Sequence, residues 1–360
     1  MFRHCEEGGL PDEAIFSLSR RLLRRFAARN DMRNKNSPKE NTMFVNLLIL
    51  LIVLAITVFF GRLTVRAVKA QRMWVKILGG LGAGLLTLIF AALSFWGIKG
   101  MMTVYSPKAE SPRDLKVDAT PEQIARGEYI ANIGCVGCHG VDQAPPFKGG
   151  WNMAEDEGFG FMGQVATENL TPGGKLSGYT DGEIFRAIRH GVDKDGNLLM
   201  FMSMLSYREL SDDDTEAVIA YLRSLPAETA DAPTGDKLNF LGVVIMGSGM
   251  FPAPEPAASS IDAPPAGITP EYGKYVATFG DCRGCHGSDM TGTPASPAGP
   301  AVPNPRPFVG SITLEEFIQS MRTGVRPDGT PFSDAMPWQS AAQMTDDDLA
   351  ALYAYLTANP

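Results

Sequence analysis

Cysteine and histidine are scarce, with 5 and 4 among 360 residues, and that excludes a disulfide-stapled scaffold. Basic side chains are short in supply where most of the chain lies. Residues 103–360 hold 17 Lys and Arg against 34 Asp and Glu, whereas residues 1–102 hold 15 against 6. So acidic a body is no partner for nucleic acid. Apolar residues make up 44% of the chain, which leaves disorder as a minor theme.

Two stretches lack charge altogether. Met43 to Phe60 is apolar apart from Asn46 and Thr57, and Ile77 to Ile98 runs 22 residues without a charge, so each can cross a bilayer core. The link between them carries Arg62, Arg66, Lys69, Arg72 and Lys76. The positive-inside rule puts that link in the cytoplasm and everything after residue 102 outside it. Trp74 and Trp96 fit interfacial anchors, and Gly80 with Gly84 offers a face for close helix approach. Residues 43–102 therefore read as a transmembrane hairpin. The extension 1–42 conflicts with this topology, because Arg20 to Lys39 would have to be translocated. Its words Arg3-His-Cys-Glu-Glu and Asp12-Glu-Ala-Ile resemble a translated bacterial intergenic repeat, with Met43 as the start of the mature chain. The other reading is a basic arm lying on the membrane. Neither assigns chemistry to His4 or Cys5.

From Thr120 the sequence repeats itself. Thr120-Pro-Glu-Gln leads to Cys135-Val-Gly-Cys-His139, and Thr269-Pro-Glu-Tyr leads to Cys282-Arg-Gly-Cys-His286. Thr180-Asp-Gly-Glu returns as Thr313-Leu-Glu-Glu, and Ser211-Asp-Asp-Asp as Thr345-Asp-Asp-Asp. Each copy predicts three helices, the first opened by Thr and Pro and the last by Ser or Thr with Asp three residues on. In the first copy Gln123 completes a capping box with Thr120. The expected architecture is mainly α: the hairpin, a first small helical domain over 118–226, a Pro/Ala-rich segment over 227–267 and a second such domain over 268–360. Within the connecting segment, Leu238 to Phe251 is apolar but only 14 residues long, too short to span a membrane, and is expected to pack between the two domains.

Placed at random, 5 Cys and 4 His would form a Cys-x-x-Cys-His word in about one per thousand such chains. Two words are not chance. Two thiols three residues apart can each form a thioether to a haem vinyl group, which holds the adjacent histidine beneath the iron. Zinc bound by four thiolates is the competing chemistry, but a histidine beside each pair and a whole domain repeated around each argue for separate sites. Two covalently bound haem c groups are expected, on Cys135, Cys138 and His139 and on Cys282, Cys285 and His286. The remaining histidine of this region, His190, cannot serve both irons, so methionine is expected at one or both. Met336 lies nine residues before Thr345 and Met202 nine before Ser211, and the repeat selects these two. His190 is expected to end a helix, and methionines 153, 162, 290, 321 and 344 to fill gaps.

Residues 118–226 and 268–360 resemble class I cytochrome c domains, on the words above together with Asn169-Leu-Thr-Pro, Arg189-His-Gly-Val, Met336-Pro-Trp and Ala220-Tyr-Leu-Arg-Ser-Leu-Pro. They look like the membrane-anchored cytochrome subunits of bacterial respiratory and periplasmic dehydrogenase systems. The resemblance implies an all-helical fold around each haem, His/Met ligation with Met202 and Met336 distal, and an exposed haem edge. Met202 departs from the pattern, since Ser203 follows it in place of proline. The implied role is an electron carrier of a respiratory chain in the bacterial inner membrane with its haem domains in the periplasm, or a dedicated cytochrome subunit of a terminal oxidase or periplasmic dehydrogenase. Redox protein donors and acceptors are its expected partners. A peroxidatic enzyme is disfavoured because a distal acid/base pair is hard to build from His190 alone, so no catalytic residue is assigned.

Overall fold

The computed structural model describes residues 38–229, 235–251, 257–295, 299–333 and 335–358. The chain divides into two compact units, residues 1–44 and 45–360. In the first, residues 38–44 open helix α1 (Pro38–Val68); His4, Cys5 and the arginines of residues 1–37 lie outside the described residues, and so do the two readings given for that extension.

α1 and α2 (Gly80–Tyr105, entered through a π-helical turn at Val75–Gly79) belong to two spans, Asn41–Val68 and Val75–Tyr105, that are long and apolar enough to cross a membrane. They pair antiparallel. The Thr57 and Ser94 hydroxyls meet at 3.1 Å, Thr64 meets Thr87 at 3.1 Å, and Phe60 stacks on Phe90. Gly84 faces the Thr64 methyl and Gly80 a Val68 methyl. The polar exceptions in the first span are thus structural. Asn46 is buried and donates to the Leu238 carbonyl at 2.8 Å and to the Tyr105 hydroxyl at 2.9 Å.

Each repeat opens with a capped helix. In α3 (Pro121–Ile130) the Thr120–Gln123 capping box forms, and Pro121 supplies a fixed φ at a position where no N–H is needed. A capping box also opens α5 (Asp181–His190) at Thr180 and Glu183, and Ser211 caps α6 (Asp212–Ser224) by accepting from the Asp214 N–H. The second repeat reproduces these as α8 (Pro270–Phe279), α10 (Leu314–Thr323) and α11 (Asp346–Thr357), with Thr269, Thr313 and Thr345 as caps. First and last helices cross in backbone contact. A Cβ on Gly127 would lie 1.9 Å from the Ala217 carbonyl oxygen, and one on Gly273 would lie 1.9 Å from that of Ala351.

The connecting segment departs from expectation. Its apolar island forms strand β2 (Gly235–Leu238) and helix α7 (Phe240–Ser248), and α7 packs on the end of α2 instead of between the repeats. Glycines decide this. A Cβ on Gly100 would sit 1.8 Å from the Val243 carbonyl oxygen and one on Gly247 1.9 Å from that of Trp96, so the two helices touch backbone to backbone. β2 pairs antiparallel with β1 (Gly163–Ala166), four residues each, a small sheet the helical pattern did not predict. Val104, Met162, Val165, Leu198, Met200, Leu238, Val243 and Met246 form a core here, distinct from the main core of the two repeats. The first repeat is thereby fastened to the hairpin by packing and by the Leu198 N–H, which donates to the Val104 carbonyl at 2.9 Å.

Candidate functional site

In the first repeat a π-helical stretch, Ala131–Cys135, runs directly into α4 (Val136–His139), so both thiols and the imidazole leave one helical run. Cys135, Cys138 and His139 line a cavity walled mainly by apolar side chains such as Ile130, Leu170, Ile184, Val218 and Leu222. His139 Nδ1 lies 2.8 Å from the Glu168 carbonyl oxygen. A carbonyl can only accept, so the proton sits on Nδ1 and Nε2 keeps its lone pair for a metal. Burial lowers the imidazole pKa, against the Glu168 carbonyl and carboxylate, and favours the neutral ring that ligation requires.

Burial first, then the Cys138 thiol and the Asp281 carboxyl, pushes Cys135 up to about 12; burial and Asp281 raise Cys138 to about 11. Burial thus favours the neutral thiol over the thiolate at both positions. Among the described residues no group of three or more His, Cys, Asp or Glu side chains is placed to hold a metal ion.

Of the three methionines at 200, 202 and 204, only Met202 lines the cavity. Met200, 2% exposed, is buried in the core beside α7, and Met204 packs against that core. The serine after Met202 has a local reason. The Ser203 N–H donates to the Leu199 carbonyl at 2.9 Å and its hydroxyl to the Met200 carbonyl at 2.7 Å; proline could make neither bond. Met153, expected to be a gap filler, also lines the cavity, while Met162, Met290, Met321 and Met344 are buried in the cores. His190 ends α5, as expected, and does not line the cavity; burial lowers its pKa and favours the neutral ring.

The second motif occupies α9 (Cys282–His286). His286 Nδ1 lies 2.8 Å from the Pro303 carbonyl oxygen, repeating the arrangement at His139. Burial, followed by Asp281, raises the Cys282 thiol to about 12. Met336 is partly buried against the main core in a loop whose start is set as in the first repeat: the Leu199 N–H donates to the Gly191 carbonyl and the Phe332 N–H to the Gly324 carbonyl, each at 2.7 Å.

What sequence spacing could not show is that the two motifs meet. A Cβ on Gly134, just before Cys135, would lie 2.4 Å from the Phe279 carbonyl oxygen, three residues before Cys282. The Tyr207 hydroxyl, beside the first cavity, donates to the Gly134 carbonyl. Arg283, inside the second motif, is buried and pairs with Glu209 of the first repeat at 2.6 and 3.0 Å. Burial works to raise the Glu209 carboxyl, and the Arg283 guanidinium more than offsets it, so its pKa is lowered. Two reciprocal contacts flank the meeting point. Tyr129 of the first repeat donates to Asp348 and accepts from the Thr345 N–H, at the start of α11; Tyr275 of the second donates to Asp214 and accepts from the Ser211 N–H, at the start of α6.

The donor set fits a covalently held haem: paired neutral thiols, an imidazole oriented through Nδ1, a thioether sulfur and an apolar cavity. Residues 124–226 and 270–359, more than half of the chain, match the cytochrome c family. The chain belongs to that family. Among its relatives this cytochrome is 37% identical over 111 residues to the cytochrome c subunit of the quinone alcohol dehydrogenase of Gluconobacter oxydans, covering 28% of this chain and 23% of that protein. It is 31% identical over 120 residues to the fructose dehydrogenase cytochrome subunit of Gluconobacter japonicus, covering 28% of this chain and 25% of that one. The aligned stretches thus span about a quarter of those subunits. A diheme cytochrome c-type protein of Cereibacter sphaeroides aligns over 307 residues at 25% identity, across 78% of this chain and 98% of that protein. The cytochrome is an electron-transfer protein similar to dehydrogenase cytochrome subunits.

Proposed function

We propose that the chain is a membrane-tethered di-haem cytochrome c that relays electrons in a bacterial respiratory chain on the periplasmic side of the inner membrane. Cys135 and Cys138 would hold one haem c, with His139 and Met202 as the iron ligands, and Cys282 and Cys285 would hold the other, with His286 and Met336. The observation that carries the reading is the meeting of the two Cys-x-x-Cys-His segments at Gly134 and Phe279. Each haem supplies a one-electron ferric/ferrous couple. The protein's part is to orient each imidazole through the Glu168 or Pro303 carbonyl, to exclude water with the apolar cavity, and to keep the two motif segments in fixed contact through Arg283–Glu209 and the reciprocal tyrosines. A dedicated cytochrome subunit of a dehydrogenase is the alternative, favoured by the names of the relatives; a terminal oxidase is the other candidate partner. Redox proteins give and take the electrons, and the hairpin supplies the membrane tether.

Denatured protein should retain two covalent haems per chain as a c-type pyridine haemochrome, and a count of one would refute the di-haem reading. Mild-detergent extraction should bring down the redox partner, which mass spectrometry would name as a dehydrogenase, an oxidase or neither. Alkaline phosphatase fused after Lys108 should be active and fused near Lys69 inactive; equal activity would refute the topology.

A further inference from the structure

Asp281 belongs to the second repeat, immediately before Cys282, yet it lines the cavity of the first. Its backbone adopts a left-handed conformation, φ 52°, unusual for a residue with a side chain, whereas the residue in the matching place of the first repeat, Gly134, continues the π-helical run. Its carboxyl Oδ1 is buried with no hydrogen-bond partner. Gly284 leaves it room, since a Cβ there would lie 2.7 Å from that oxygen. A residue in a costly backbone conformation, with an unsatisfied buried oxygen and a place on the wall of the other repeat's cavity, calls for a function.

We propose that Asp281 lowers the potential of the haem held by the first repeat and takes up a proton when that haem is reduced. The inference rests on the reading that Cys135, Cys138 and His139 hold a haem. A carboxylate in a poorly solvated site stabilises the more positive, ferric state and so holds the potential down. Linkage makes the effect reciprocal: the arriving electron removes a positive charge, the carboxyl binds a proton from water more tightly, and net charge is conserved at the site. Burial already raises the Asp281 pKa to about 7, opposed by the Ser206 N–H, so it titrates in the physiological range. The groups facing it are the Tyr207 hydroxyl and the sulfurs of Cys135, Cys138, Cys282 and Cys285, which carry no charge as thioethers. Farther around the same cavity stand His139, Asp236, and Glu168 paired with Lys175; Glu209 is matched by Arg283.

The test is an optical redox titration of the full chain in detergent between about pH 5.5 and about pH 8.5, with the first haem identified as the wave that moves in Met202→Ala. In the unsubstituted chain that wave should fall in potential as pH rises. In Asp281→Asn it should lie higher than in the parent at the alkaline end and lose its pH dependence, and Asp281→Gly, which copies the first repeat, should behave alike. A pH-independent first wave in the unsubstituted chain overturns the proposal even if neither variant accumulates. An unmoved wave, or an unchanged pH slope, in a variant that retains two covalent haems overturns it as well. A haem count of one in the parent chain would instead remove its premise.

Discussion

On the proposed ligation, Met202→Ala should remove half of the weak sulfur-to-iron absorption in the far red and lower the potential of one haem, whereas Met200→Ala and Met204→Ala should leave both unchanged. The expectation follows from where the three side chains go. Met202 shares a cavity with His139, while Met200 and Met204 belong to the core that joins the first repeat to α2 and α7. Loss of a thioether ligand destabilises the ferrous state, so the potential falls. Met200→Ala leaves a hole in a packed core, so its cost is stability, about 2–5 kcal/mol. A lower melting temperature with an intact far-red band would separate that variant from Met202→Ala. Met336→Ala should remove the other half of the band. A full band in Met202→Ala would show that another sulfur, Met153 foremost, reaches the iron.

Gly273→Val should unfold both repeats together. A Cβ at this position meets the Ala351 carbonyl oxygen at 1.9 Å, which no rotamer can relieve because the obstacle is backbone. α8 and α11 must separate, at a cost of more than about 3 kcal/mol. Gly127→Val repeats the insult at the Ala217 carbonyl between α3 and α6. The damage spreads because Tyr275 is carried on α8 and caps α6 of the other repeat, while Tyr129 on α3 does the same for α11. A single cooperative transition at lower temperature, by scanning calorimetry or by loss of haem-region circular dichroism, is the expected outcome. Two separate transitions, with the untouched repeat melting at its original temperature, would mean that the reciprocal contacts do not couple the domains.

Much of the build is local and could be read residue by residue. Caps declare themselves through side-chain chemistry within four positions, as at Thr120 with Gln123 and at Ser211 with Asp214, so composition and spacing suffice. The two long uncharged stretches, the doubled motif and the cytochrome c family are of the same kind: each depends on residues close together in the chain or on the chain's likeness to itself.

The destination of Leu238–Phe251 was of another kind. A short apolar run states that it must be covered but not by what, and the answer, α2, lies more than a hundred residues earlier. The small sheet escaped for the same reason, since two four-residue strands acquire meaning only when paired. The role of Asn46, legible as an anomaly in an apolar span, became clear only when Leu238 arrived beside it.

Propensity, capping and motif spacing act over a few residues, so the helical repeats, the spans and the two Cys-x-x-Cys-His motifs were legible along the chain. Packing brings the motifs together at Gly134 and Phe279, puts Met202 and not its neighbours on the first cavity, and carries Asp281 of one repeat to the cavity of the other. These are contacts between residues distant in the chain, and they exist only after backbones have packed as closely as Gly127, Gly273, Gly100 and Gly247 allow.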